Sequence, residues 1–193
     1  MRYSIQEKKP ERDYSGTEYS TYGRYKPFLR EDFNKRCGYC DGLDIYTGGS
    51  RGFQIDHFKP KKLFPDLETT YDNLVYSCPY CNRSKWDYWR EDKGFIDPYN
   101  DLYGATLYRN EKGQILYNDD CEQGEYIHKK LKLNLRRHEL IWIIEKLKKQ
   151  SDELDFFSDS LGENHPEEVA ILREFKKVQK EIKKYTNLFY DEV

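Results

Sequence analysis

Cys37-Gly-Tyr-Cys40, Phe53-Gln-Ile-Asp-His57 and Tyr71-Asp-Asn-Leu-Val-Tyr-Ser-Cys-Pro-Tyr-Cys-Asn-Arg-Ser-Lys85 are three pieces of one stretch, and their spacing decides the fold. Two cysteines separated by two residues can turn both sulfurs toward a single ion. Two such turns, Cys37/Cys40 and Cys78/Cys81, complete the closed tetrahedral shell that a structural zinc prefers. Four unrelated buried cysteines would rarely fall into two matched pairs in so polar a chain. The gap between the pairs exceeds that of a simple zinc ribbon, so a substantial element is inserted between the knuckles. A closed four-sulfur shell has no open position for substrate, so any chemistry belongs to the insert and to the residues just after it. Cys121 has no partner at a comparable spacing and reads as a plain residue.

Working outward, residues 43–58 read as strand, Gly-rich turn and strand, the second strand being Phe53 to His57. Residues 59–67 form a loop with Pro and Lys. Residues 71–76 are compact and apolar and lead into the second knuckle, and residues 82–90 read as a helix starting there. A short helix is expected over 27–35. Residues 1–25, rich in Tyr, Ser, Gly and charge, read as an irregular arm ordered only where its tyrosines pack. The span 95–117 is strand-like, with Glu111-Lys-Gly113 as a hairpin tip. Two helices are expected to close the chain. The first covers about 125–149, and the second opens at His165-Pro166, where Pro suits the first helical turn. The second helix puts Ile171, Leu172, Phe175, Val178, Ile182, Tyr185 and Leu188 on one face. Residues 152–163 between them read as an acidic connector. The expected organisation is an arm over 1–25, a core over 26–94 and a mixed, then helical, extension over 95–193.

A mean hydropathy of -1.04 with 35% charged residues would suggest disorder, but 16% aromatic residues supply enough buried area for an aromatic-rich fold. A net charge of -2 argues against a protein that coats nucleic acid indiscriminately, without excluding a local basic groove. No stretch approaches the roughly 20 apolar residues of a membrane span, and the N-terminal sequence lacks a signal peptide's apolar core. The expected location is therefore the cytoplasm, a reducing setting in which paired cysteines point to metal rather than to disulfides.

The quoted segments resemble the HNH endonuclease family, in the zinc-knuckle branch where four cysteines frame a ββα-metal motif. The resemblance covers about residues 31–90. It implies an α+β fold, with a treble-clef-like ββα core around structural Zn²⁺ and a mainly helical C-terminal extension. It implies that His57 is the general base and that Asp56 and Asn82 ligate a catalytic Mg²⁺, or Mn²⁺ or Ni²⁺ in its place. Where the family more familiarly has a histidine, this chain has Asn82, an H-N-N variant. An amide oxygen suits a hard ion better than a soft one. Asn73 would hydrogen-bond the backbone across the loop and hold His57 in register. Lys59, Lys61, Arg83 and Lys85 would touch phosphates. The implied activity is metal-dependent cleavage of DNA to 5′-phosphate and 3′-hydroxyl ends. Such small proteins resemble bacterial restriction and phage-defence nucleases that work beside an ATPase. Taken singly, Asp56 and His57 read as a structural pair, Asn73 as a turn residue, Asn82 as a helix cap and the lysines as a solvated face. The alternative is a zinc-stabilised nucleic-acid-binding or interaction module without catalysis. His128, His138 and His165 have no comparable context. The lysines and arginine of residues 173–184 read as a solvated face or as a ledge that guides a duplex.

Overall fold

A computed structural model describes residues 1–161 and 165–192. In chain order its elements are β1 (Tyr3–Ser4), α1 (Lys26–Asp32), β2 (Gln54–His57), β3 (Leu74–Ser77), α2 (Pro79–Lys85), α3 (Asp101–Thr106), β4 (Leu107–Arg109), β5 (Ile115–Tyr117), α4 (Glu122–Lys130), α5 (Arg136–Leu161) and α6 (Glu168–Asp191). The fold is α+β. The chain divides into two units, Met1–Leu135 and Arg136–Val193, so the boundaries expected after residues 25 and 94 both fall inside the first unit.

In the first unit β2 and β3 pair antiparallel, Asp56 opposite Val75 and His57 opposite Leu74, and α2 follows β3 at once. This is the expected ββα arrangement. β3 is buried along its whole length, which its apolar run Leu74-Val-Tyr76 requires. Pro79 stands in the first turn of α2, where its missing N–H is no loss. The helix ends at Lys85, because Trp86 adopts a φ of 49°; it is shorter than the expected 82–90 and starts earlier.

The arm is not irregular throughout. Tyr3 and Ser4 pair with Arg109 and Tyr108 of β4, and β4 pairs with β5 around the hairpin tip, where Gly113 takes a φ of 79°. The tyrosines of the arm do pack. Tyr14 lies 4.6 Å from Phe28 and 4.8 Å from Tyr71, and Tyr19 lies 5.0 Å from Tyr25, centroid to centroid. The strand expected near residues 43–46 is instead a turn of 3₁₀ helix over Asp44–Thr47. Its cause is Asp44, whose buried carboxylate accepts hydrogen bonds from Arg30 Nε at 2.6 Å and Tyr76 Oη at 2.9 Å and so curls the segment inward.

The helix expected over 125–149 is two helices. α4 stops at Lys130, Leu131 and Leu133 turn into the core, and Lys132 between them takes a φ of 51°. In the second unit α5 and α6 pack on one another, with Leu140, Ile141, Ile144, Val178 and Phe189 buried. Ser151 on α5 accepts a hydrogen bond from Gln179 Nε2 on α6 at 2.6 Å. The acidic connector is helix through Leu161, and its remainder, Gly162 and Glu163, lies outside the described residues. No helix among the described residues is long and apolar enough to cross a membrane.

Candidate active site

The four sulfurs of Cys37, Cys40, Cys78 and Cys81 all lie within 4.8 Å of one another, and all four residues are buried. Cys40 Sγ and Cys78 Sγ are 3.9 Å apart. Zinc–sulfur bonds of about 2.3 Å set the edge of a ZnS₄ tetrahedron near 3.8 Å, so the cluster fits a structural zinc. The first knuckle hangs from the sheet through a hydrogen bond from Gly38 N to Tyr76 O, 2.9 Å. A Cβ on Gly38 would come within 2.6 Å of the Phe33 ring and 2.7 Å of Val75, so only glycine allows this approach. In the second knuckle Cys78 caps α2, its Sγ accepting from Cys81 N at 3.4 Å. Two buried side chains far along the chain secure the first knuckle. Arg109 donates to Cys40 O at 2.6 Å, and Tyr103 Oη donates to Tyr39 O at 2.6 Å. Four thiolates around one dication leave net negative charge, which a buried guanidinium offsets.

The insert places Asp56 and His57 on β2 with opposite outlooks, as strand alternation requires. His57 Nε2 lies 2.9 Å from the carbonyl oxygen of Glu68. A carbonyl only accepts, so Nε2 carries the hydrogen and the neutral ring keeps its lone pair on Nδ1. Burial holds the imidazole below its ordinary value, opposed by the hydrogen bond to Glu68, so the ring is neutral near physiological pH. Tyr22 from the arm packs edge-on against it at 4.7 Å.

Asn73 ties the loop between the strands. Its Oδ1 accepts from Lys59 N at 2.8 Å, and its Nδ2 donates to Lys59 O at 3.0 Å and Leu67 O at 3.2 Å. Phe58 N continues the ladder to Asn73 O at 2.8 Å. The loop leaving His57 and the loop carrying Glu68 are thus held by one side chain. Asn82, one residue beyond Cys81, donates from Nδ2 to Gln54 Oε1 at 2.5 Å. Its Oδ1 accepts no hydrogen bond from the described residues.

Lys85 is where the structure departs most from the reading of the sequence. It is fully buried. Its ammonium donates to His57 O at 2.8 Å and lies 3.0 Å from Asp56 Oδ2. A side chain held beneath the site cannot reach a phosphate, so its role as a phosphate contact is withdrawn. Asp56 Oδ2 also accepts from Tyr39 Oη, the tyrosine inside the first knuckle. Burial raises the Asp56 carboxyl above the usual range, while Lys85 and Tyr39 oppose that rise. One carboxylate oxygen is therefore committed to Lys85 and Tyr39. Oδ1 takes no hydrogen bond from the described residues, and Asp56 keeps 6% of its surface exposed. Asp56 Oδ1 and Asn82 Oδ1 are both hard oxygen donors.

Of the remaining predicted contacts, Lys59 Nζ lies 5.4 Å from the Phe64 ring centroid and 5.7 Å from that of Trp89. Lys61 pairs with Glu68 at 2.9 Å. Arg83 is exposed and without a side-chain partner among the described residues. Sequence reading missed Tyr39, Tyr22, Tyr103, Arg109 and the Glu68 carbonyl. Only Tyr39 carried a local signal, being enclosed by the knuckle.

Residues 37–87 match the HNH endonuclease family, and with the ββα geometry this makes the segment an HNH-type core. Among curated proteins the chain is similar to two that are each described as Septu protein PtuB. One, from Bacillus mycoides (strain KBAB4), is 29% identical over 121 residues, which is 55% of this chain and 38% of the relative. The other, from Bacillus thuringiensis, is 32% identical over 78 residues, which is 38% of this chain and 29% of the relative. The chain thus spans roughly a third of the length of the curated relatives it matches. No solved structure matches it significantly.

Proposed function

We propose that this chain is a divalent-metal-dependent endonuclease that hydrolyses phosphodiester bonds in DNA, leaving 5′-phosphate and 3′-hydroxyl ends. The observation that carries the reading is the hydrogen bond from His57 Nε2 to Glu68 O, which leaves Nδ1 as the base of a buried, neutral imidazole. In the proposed reaction His57 Nδ1 takes the proton of the attacking water. Asp56 and Asn82 would hold the ion, Lys85 and Tyr39 fixing Asp56 through Oδ2 and leaving Oδ1 for the ion. When bound there, Mg²⁺ or Mn²⁺ supplies neutralisation of charge on the phosphate and on the departing 3′-oxygen. Asn73 keeps the two loops, and hence His57, in position. Lys59 and Lys61 would meet the phosphates that flank the scissile one. The similarity to Septu proteins supports a role in defence against phage within a multi-subunit system, and the resemblance to small HNH nucleases that work beside an ATPase suggests the kind of partner.

The test is a metal-titrated cleavage assay on one labelled duplex. Asp56→Ala should raise the Mg²⁺ and Mn²⁺ concentrations needed for half-maximal cleavage, with activity partly restored at high Mn²⁺. Asn82→His should remain active and shift preference toward softer ions such as Ni²⁺. Unchanged metal dependence in both variants would remove Asp56 and Asn82 from the ion.

A further inference from the structure

α2 has two faces. Cys81 and Lys85 look inward to the cysteine cluster and to Asp56, whereas Pro79, Tyr80, Arg83 and Ser84 share the other face, as helical spacing requires. That outer face lines a pocket of about 420 Å³, which Thr47, Lys132 and Leu135 complete. We propose that this pocket binds a nucleotide, a phosphate ester of a nucleoside, at a site separate from the catalytic one.

Three features select that chemistry. The first is charge. The pocket is lined by two cations and no carboxylate, in a chain whose 35 acidic residues outnumber its 33 basic ones. Neither Arg83 nor Lys132 has a side-chain partner among the described residues, and both are exposed. An Arg fork beside a Lys point charge, with the Ser84 hydroxyl in the same wall, is a phosphate-binding set. The second is size. Inorganic phosphate would leave most of the pocket empty, whereas about 300–1,000 Å³ is the range of small-molecule sites. The third is the rest of the wall. Pro79, the Tyr80 ring and Leu135 give apolar and aromatic surface against which a planar base can lie.

Lys132 reaches the pocket from the turn after α4, held at a φ of 51° between two buried leucines. The leucines fix the backbone and leave the ammonium exposed, so the cation is presented rather than adrift. An occupant would bear directly on the helix that carries Asn82, although the binding proposal does not depend on the catalytic reading.

The nucleotide has two sources, a free mononucleotide or one unit of a nucleic-acid strand, and one titration separates them. The zinc-loaded full chain is titrated calorimetrically with AMP, with a short oligo-dT and with inorganic phosphate, without divalent metal. Either AMP or the oligonucleotide should bind at least tenfold more tightly than inorganic phosphate. Arg83→Ala and Lys132→Ala should each weaken that binding about tenfold, the loss of one charge-assisted phosphate contact. Arg83→Lys should recover only part, because the ammonium lacks the fork. AMP bound as tightly as the oligonucleotide identifies a free nucleotide, and oligonucleotide binding without AMP binding identifies a strand. Thermal melting of each variant checks that the fold is intact. The proposal is overturned if neither probe binds more tightly than inorganic phosphate, or if the folded double variant Arg83→Ala/Lys132→Ala binds like the wild type.

Discussion

Replacing Lys85 by Met keeps the length of the side chain and removes its charge. The structure makes this an expensive change. The ammonium is fully buried, 2.8 Å from His57 O and 3.0 Å from Asp56 Oδ2. Met leaves the His57 carbonyl without that donor and leaves the buried Asp56 carboxylate with only Tyr39 Oη. Breaking a buried pair by removing one partner costs about 3–5 kcal/mol. Against a total stability of about 5–15 kcal/mol, that is a large share. For a unit of this size it should lower the melting temperature by roughly 10–20 °C. The assay is thermal and urea unfolding of zinc-loaded protein, followed by circular dichroism. The double variant Lys85→Met/Asp56→Asn should recover part of the loss, because a neutral amide no longer strands a charge. A coupling of about 1–3 kcal/mol is expected between contacting residues. A phosphate-binding lysine on the surface would behave differently, its removal changing stability by about 0.5 kcal/mol or less while weakening DNA binding. A melting temperature within two or three degrees of wild type would refute the buried-pair account.

Cys37→Ser should release zinc and unfold the core rather than selectively lower activity, because structural zinc binding is part of the folding free energy; elemental analysis should find one zinc per folded wild-type chain, and a well-folded sample without zinc would contradict this. Asn73→Ala orphans Lys59 N, Lys59 O and Leu67 O, so it should cost about 2–4 kcal/mol and slow cleavage while leaving metal affinity nearly unchanged, which a paired urea and metal titration would show. His128 is held below its ordinary value of 6.5 by burial, its Nε2 donating to Ile115 O at 3.0 Å. The unfolded chain therefore binds that proton more readily, so stability is complete above about pH 6.5 and falls as pH drops through the folded value. Melting curves should show this decline flattened in His128→Gln, and identical pH profiles would count against it.

The four-cysteine cluster and the ββα core were legible because their signals are local. C-x-x-C spacing brings two sulfurs together within a turn, and Pro79 marks the start of α2. The second closing helix was readable from the spacing of its apolar residues, although it opens at Glu168, beyond Pro166, leaves Leu172 exposed and buries Phe189 instead. What escaped was decided by partners distant in sequence. Lys85 follows Asn, Arg and Ser and looks like surface; its burial is set by Asp56 across the sheet. Asp44 looked like a strand residue until Arg30 and Tyr76 drew it inward. The split between α4 and α5 carries neither Gly nor Pro, and it arises because Leu131 and Leu133 enter the core together. The ordering of Tyr3 and Ser4 depends on β4, more than a hundred residues later.

The central claim is that His57 is the base of a hydrolytic site, and one comparison bears on it directly. Wild type and His57→Ala are given the same labelled duplex under single-turnover conditions with saturating Mg²⁺ or Mn²⁺, while Mn²⁺ and DNA affinities are measured separately. Loss of a general base should slow cleavage by roughly a hundred- to ten-thousand-fold, with both affinities nearly unchanged, because the base acts only in the transition state. If His57→Ala cuts as fast as the wild type with metal present, the hydrogen bond to Glu68 only braces a loop, and the site is not that of an HNH nuclease.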